Sequence, residues 1–219
     1  KRGRIRMQLT DFYRDVLHLS EALLIEQAVN ASEVRQLKAG ECLIRQGEVP
    51  SHICFLMCGV IRGFVIDVNG KDITDCIAFR CGDAAMPDND FTQPASITIE
   101  ALTDGKVVCI TADEVVRLLK EYPSLEELYR KLLFISSSRH RDLKMAAYQY
   151  TAIQRYQWFL TEYPGLIDKI SHKYIASLLN MTPVTLSKIR KDLKKGKTDA
   201  ALAVFSAESS GEACPPKTR

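Results

Sequence analysis

The sequence predicts an α+β fold in which an antiparallel β-structure is followed by helices that end in a helix-turn-helix. Three observations carry this expectation. Short β-rich runs punctuated by glycine occupy residues 41–111, helical periodicity takes over at Ala112, and Ile170–Leu193 reads as two short helices around a tight turn.

Leu9 to about Val29 has apolar residues at helical spacing (Phe12, Val16, Leu19, Leu23), with a break near Ser20. From Leu37 the texture changes. Glycines stand at 40, 47, 59, 63, 70 and 82, and between them lie ECLIR, HICFLM, VIRGFVIDV and DITDCIAF. Asn69-Gly70 marks a hairpin, SITIEAL alternates, and VVCIT follows Asp104-Gly105. Many short strands with such turns predict an antiparallel barrel or sandwich. ADEVVRLLKEY then predicts a helix that stops at Pro123. Ser124 is expected to cap the next helix, with Glu127 completing a capping box. Leu125, Leu128, Leu132 and Ile135 keep heptad spacing, so this long helix either crosses its own domain or pairs with a second copy. The polar stretch SSSRHRD (136–142) interrupts that seam, and Leu143, Ala146, Ala147 and Tyr150 resume it. Residues 151–163 form another amphipathic segment, stopped by Pro164-Gly165.

In Ile170–Leu193, Ser171 is the expected cap of the first helix and Asn180 its left-handed exit. Thr182 as N-cap with Pro183 at the first helical position starts the second. Leu186, Ile189 and Leu193 fall on one side of it, and Val184, Ser187, Lys188 and Lys191 on the other. Small and polar groups near the start, followed by cations, suit a DNA major groove. Local charge agrees: residues 151–197 hold nine Lys or Arg against three Asp or Glu, a net of +6 in a chain of net charge +3. Double-stranded DNA is therefore the expected partner.

Composition excludes other classes. Hydrophobic residues at 46% and charged residues at 26% suit a soluble chain, and no apolar run approaches the ~20 residues of a membrane span. No apolar leader follows the basic start KRGRIRMQL, so a cytoplasmic location is expected, and a first residue other than Met suggests a natural start upstream. The seven cysteines (42, 54, 58, 76, 81, 109, 214) form no CxxC pair, and the expectation is reduced, mostly buried thiols, with a redox sensor as the alternative. No nucleophile–base pairing, metal-ligand spacing or phosphate loop is visible, so neither an enzyme nor a metal site is expected.

The stretch LKAGECLIRQGEVPSHICFLMCGVIRGFVIDVNGKDIT, Leu37–Thr74, resembles the bacterial Crp/Fnr transcription regulators through Gly40, Glu41, Gly47, Gly59, Arg62 and Gly70. Ile170–Leu193 matches the second block of that family in order and spacing. The resemblance implies an N-terminal β-roll of double-stranded β-helix (jelly-roll) type within a cyclic-nucleotide-binding-like sensor domain, residues 1–123. It implies a long dimerisation helix (124–150, seam Leu125, Leu128, Leu132 and Ile135) and a winged helix-turn-helix domain (151–197), with a disordered tail expected at 198–219. It further implies a homodimer on a palindromic operator, half-sites about 34 Å apart, with RNA polymerase as a partner if the regulator activates.

Two departures shape the detail. Where cyclic-nucleotide binders carry Gly-Glu and Arg-Ser or Arg-Thr, this chain has Met86-Pro87 and Pro94-Ala95, with Asp83, Asp88 and Asp90 nearby, so cyclic AMP is disfavoured. The effector stays unknown; its pocket candidates are Arg62, Asp83, Met86, Ser96, His140 and Arg141. No cysteine cluster precedes the roll, so there is no iron–sulfur signature, and no histidine stands out as a haem ligand. The recognition helix lacks the family's arginine fork. Base-reading candidates are Pro183, Val184, Thr185, Ser187 and Lys188; phosphate candidates are Lys173, Tyr174, Thr182, Arg190, Lys191, Lys194 and Lys195. No clear pair of strands follows Leu193, so a short wing is expected. The competing reading is a ligand-binding or interaction module without sequence-specific DNA binding, against which the basic helix-turn-helix argues.

Overall fold

The computed structural model describes residues 9–87 and 92–194. Its strands are β1 (Ser32–Leu37), β2 (Cys42–Ile44), β3 (His52–Cys58), β4 (Ile61–Ile66), β5 (Asp72–Ala78), β6 (Thr98–Ala101) and β7 (Gly105–Thr111). They build two antiparallel sheets, ordered β1-β7-β3 and β2-β6-β4-β5. Leu37, Leu56, Ile99 and Val107 fill the space between them. This is the expected roll. The β4–β5 hairpin forms at Asn69-Gly70, where Asp67 Oδ1 accepts from the Asn69 and Lys71 amides and Gly70 takes φ +77°.

Strand β1 is not expected from the sequence. SEVRQL is mostly polar and follows a helix without a glycine; its extended form comes from pairing with β7, from Ser32 opposite Ile110 to Leu37 opposite Gly105.

The helices are α1 (Phe12–Val16, wound as a π-helix), α2 (Ala22–Ala31), α3 (Ala112–Glu121), α4 (Pro123–Gln149), α5 (Ala152–Glu162), α6 (His172–Leu178) and α7 (Pro183–Lys194). Helix α4 runs unbroken through SSSRHRD, so that stretch interrupts the apolar pattern and not the helix. Ser124 does not cap it. Pro123 opens the first turn, and the Ser124 hydroxyl donates to Glu21 instead. Helix α5 starts with a capping box in which Thr151 and Gln154 satisfy each other's backbone amides. Phe159, Ile175, Leu179 and Leu186 form the centre of the helical part, and Val60 and Ile77 of the roll join the same cluster.

Cys54 and Cys109, directly opposite on β3 and β7, are joined in a disulfide. The expectation of reduced thiols fails for this pair because cross-strand register cannot be read from spacing. Cys42, Cys58, Cys76 and Cys81 are free. The expected tail, any wing, Lys195, Asp88, Asp90 and Cys214 lie outside the described residues. Among the described residues no helix is long and apolar enough to cross a membrane.

Candidate nucleic-acid interface and roll cavity

Helix α7 owes its start to Thr182, whose Oγ1 accepts from the Thr185 amide at 3.0 Å, and to Pro183 in its first turn. The turn before it uses Asn180 at φ +49°. Leu186 and Ile189 are buried against the cluster around Ile175 and Leu179. That anchoring turns Pro183, Val184, Ser187, Lys188, Lys191 and Lys194 to solvent. At 100° per residue they share an arc of about 140°. Val184 is 79% exposed, although it is apolar. Thr185 is half-buried, and its hydroxyl sits 2.8 Å from Thr182 Oγ1, inside the cap. Arg190 turns sideways, its Nη1 donating to the His172 imidazole 2.6 Å away, which ties α7 to the start of α6.

On α6, Lys173 is exposed, but Tyr174 faces the roll. The Arg62 guanidinium lies 4.1 Å from the Tyr174 ring centroid and 4.1 Å from that of Phe64. Arg62 is only 3% exposed and donates to Asp72 (2.6 and 2.7 Å), Glu100 (2.9 Å) and Thr74 (3.2 Å). The Thr74 amide also donates to Ser177 Oγ at 2.9 Å. Arg62 therefore ties the roll to the helix-turn-helix, and it is not among the residues lining the cavity described next.

Between the roll and α4 lies a cavity of about 490 Å³, bounded by groups such as Tyr13, Leu24, Phe55, Ile110, Leu118 and Leu128. Met86, Ser96 and His140 line it, as do Asp75 and Cys76. Asp83 sits in an adjoining recess. It is buried, accepting from the Phe79 and Arg80 amides and from Arg139 at 2.7 Å, so it organises a loop and pins α4. Arg141 lies outside both spaces, exposed beside Asp142 at 3.6 Å. No arginine or lysine is among the residues lining the cavity. His140 Nδ1 is 2.9 Å from the Ser136 carbonyl, and Nε2 is 3.3 Å from Asp75 Oδ2. Its hydrogen bonds to Asp75 and then to Cys76 push the imidazole pKa up to about 10. Sequence reasoning missed Asp75, Cys76 and Arg139, because each acquires its surroundings only when β5, the following loop and α4 converge.

The heptad seam of α4 turns inward. Leu125, Leu128 and Leu132 pack, half-buried, against the cluster that Phe12, Tyr13 and Leu24 of the N-terminal segment form with Ile53, Phe55, Val108 and Ile110 of the roll, and Ile135 lines the adjoining recess. Of the two partners that the spacing leaves open, the chain's own domain covers these leucines, and not the second copy that the resemblance implies, since periodicity marks an apolar face without saying what covers it. Facing out are Phe134 (70% exposed), Arg141, Met145 and Tyr148 (73% exposed), at steps of seven, four and three residues.

Residues 34–122 match the cyclic nucleotide-binding domain family. Solved structures with similar folds include FixK2 from Bradyrhizobium japonicum, at 14% identity and TM-score 0.69 over 76% of this chain and 86% of that one. The c-di-GMP responsive global regulator CLP from Xanthomonas campestris is similar at 13% identity and TM-score 0.61, over 81% of this chain and 93% of that one. A structure assigned to the Crp/Fnr family of transcriptional regulators, from Eubacterium rectale, aligns at 17% identity and TM-score 0.62, over 81% of this chain and 85% of that one. No curated relative matches the sequence.

Proposed function

We propose that this chain, which has a cyclic nucleotide-binding domain within the fold of the Crp/Fnr regulators, is a homodimeric, sequence-specific DNA-binding transcription regulator. The observation that carries the reading is the outward face of α7. Ser187 and Lys188, exposed near its start, suit base edges, and Lys191 and Lys194 suit phosphates. An exposed Val184 at the helix start fits contact with a thymine methyl better than it fits water. Of the phosphate candidates, Lys173 is exposed on α6 with its ammonium 4.6 Å from the Tyr174 ring centroid and suits a phosphate, whereas Tyr174 is engaged with Arg62. The exposed stripe Phe134, Met145 and Tyr148 supports pairing of two α4 helices along a face opposite the cavity.

The cavity supports an effector that is largely apolar. A cyclic phosphate needs a fixed cation; the lining has no arginine or lysine, and its histidine, His140, is already paired with Asp75, whose carboxylate would repel the phosphate. A ligand there would touch both the roll and α4, so it would shift the population of the arrangement that matches operator spacing.

The test is selection from a random duplex library by the purified, full-length protein, followed by binding at several salt concentrations. A two-fold symmetric motif with binding that falls steeply with salt is the expected result. A motif without symmetry would overturn the dimer. No salt-sensitive binding would overturn the regulator and leave an interaction module built on the same roll.

A further inference from the structure

Asp75 and Cys76 are neighbours on β5, and neighbouring strand residues ordinarily point to opposite faces. Here they do not. In the β4–β5 ladder Gly63 pairs with Cys76 and Phe64 with Thr74, which leaves Asp75 without a partner. A bulge of this kind re-aims side chains, and both residues line the same cavity.

The residue opposite the bulge completes the arrangement. A Cβ on Gly63 would stand 2.7 Å from Cys76 Sγ and 2.5 Å from Ile97 Cδ1. Glycine at this position leaves the room that the thiol occupies.

The third group comes from α4. His140 Nδ1 is within hydrogen-bond distance of the Ser136 carbonyl one turn back, which fixes the ring and turns Nε2 toward Asp75. A histidine whose Nδ1–H is spent on a backbone carbonyl is oriented as metal-ligating histidines are. One ligand atom each from Asp75, Cys76 and His140 lies within 4.8 Å of the other two. Small side-chain rotations bring three such atoms to the 2.0–2.3 Å bond lengths of zinc.

We propose that Asp75, Cys76 and His140 form a three-ligand site for a zinc-class divalent cation, with the fourth coordination position open to the roll cavity. Mixed sulfur, nitrogen and oxygen donors select a borderline cation over calcium or magnesium, which prefer oxygen alone. Binding displaces the Cys76 thiol proton and any proton on His140 Nε2. The ion would bond β5 to α4 and offer an otherwise apolar cavity one point of attachment for a donor atom of an effector. The site stands on these side chains and does not depend on the DNA-binding reading.

Cobalt(II) is the probe, added to the full-length protein after treatment with a chelator. We expect one cobalt per chain with a thiolate-to-metal charge-transfer band, displaced by zinc. Cys76→Ser should abolish the band, and His140→Gln and Asp75→Asn should weaken binding by more than about tenfold. Cys58→Ser and Cys81→Ser should leave it unchanged. A zinc-induced rise in melting temperature, seen in the unsubstituted protein and lost in His140→Gln, covers the case of a poorly folded Cys76 variant; its absence overturns the site. So does a band that survives Cys76→Ser, one that disappears with Cys58 or Cys81, or cobalt binding with no thiolate band at all.

Discussion

Lys188 and Lys191 stand on the same exposed face of α7, one turn apart, and chemistry assigns them different tasks. Lys188 is nearer the helix start, among the short side chains that let the backbone approach bases. Lys191 lies further along, where on the proposed complex the groove wall would be phosphate. Lys191→Ala should lower the slope of log affinity against log salt by about one and leave base preference unchanged. Lys188→Ala should relax preference at one position of each half-site, at a cost of about 1–3 kcal/mol against the preferred base. Binding isotherms at several salt concentrations on single-base variants of a selected site separate the two. A changed preferred sequence for Lys191→Ala would remove it from the phosphate set. At this scale the outward face of α7 is legible in the sequence because a 3.6-residue period sorts inward from outward residues without knowledge of the rest of the fold. Arg62 and Asp83 were not legible, since their roles come from Asp72, Glu100 and Arg139, up to 56 residues away.

Helix α4 shows how an element can be read correctly from sequence while its partner stays open. Its existence, length and apolar seam follow from the sequence, yet Leu125, Leu128 and Leu132 cover the roll while Phe134, Met145 and Tyr148 are left in water. Large aromatic groups exposed along one line of a helix are costly unless something covers them. If a second α4 does so, replacing Phe134 and Tyr148 by Glu should yield a monomer in sedimentation equilibrium with an unaltered far-ultraviolet circular dichroism spectrum. Affinity for the palindrome should then fall about a hundredfold or more through lost bivalency, while a half-site is bound as before. A variant that stays dimeric would move the interface elsewhere. Strand β1 is the opposite case. With few apolar residues and no turn signal, SEVRQL becomes a strand only because β7 offers it an edge, and no local pattern records that.

The molecule's two halves share more than a covalent link. Val60 and Ile77 of the roll belong to the same buried cluster as Phe159, Ile175 and Leu179 of the helical part. Above that cluster, Arg62 holds Asp72 and Glu100 on the roll while its guanidinium lies against Tyr174 of α6, and the Thr74 amide reaches Ser177. A shared core predicts that the full-length chain unfolds in one cooperative transition, although sequence divides it at 123/124 and 150/151. Arg62→Ala removes the shared cation and leaves Glu100, mostly buried, without its partner, which should cost about 3 kcal/mol. Because the loss falls at the junction, the single calorimetric transition should divide, the helix-turn-helix melting first and the roll later. Tyr174→Leu is the complementary variant. It keeps apolar bulk and discards only the ring that Arg62 contacts, so it should lower stability by about 1 kcal/mol with the transition still single. A single, merely shifted transition for Arg62→Ala would mean that the shared cluster around Val60 and Ile77, together with the Thr74–Ser177 hydrogen bond, is enough to couple the halves, and that the cation stabilises the roll without transmitting anything to α6.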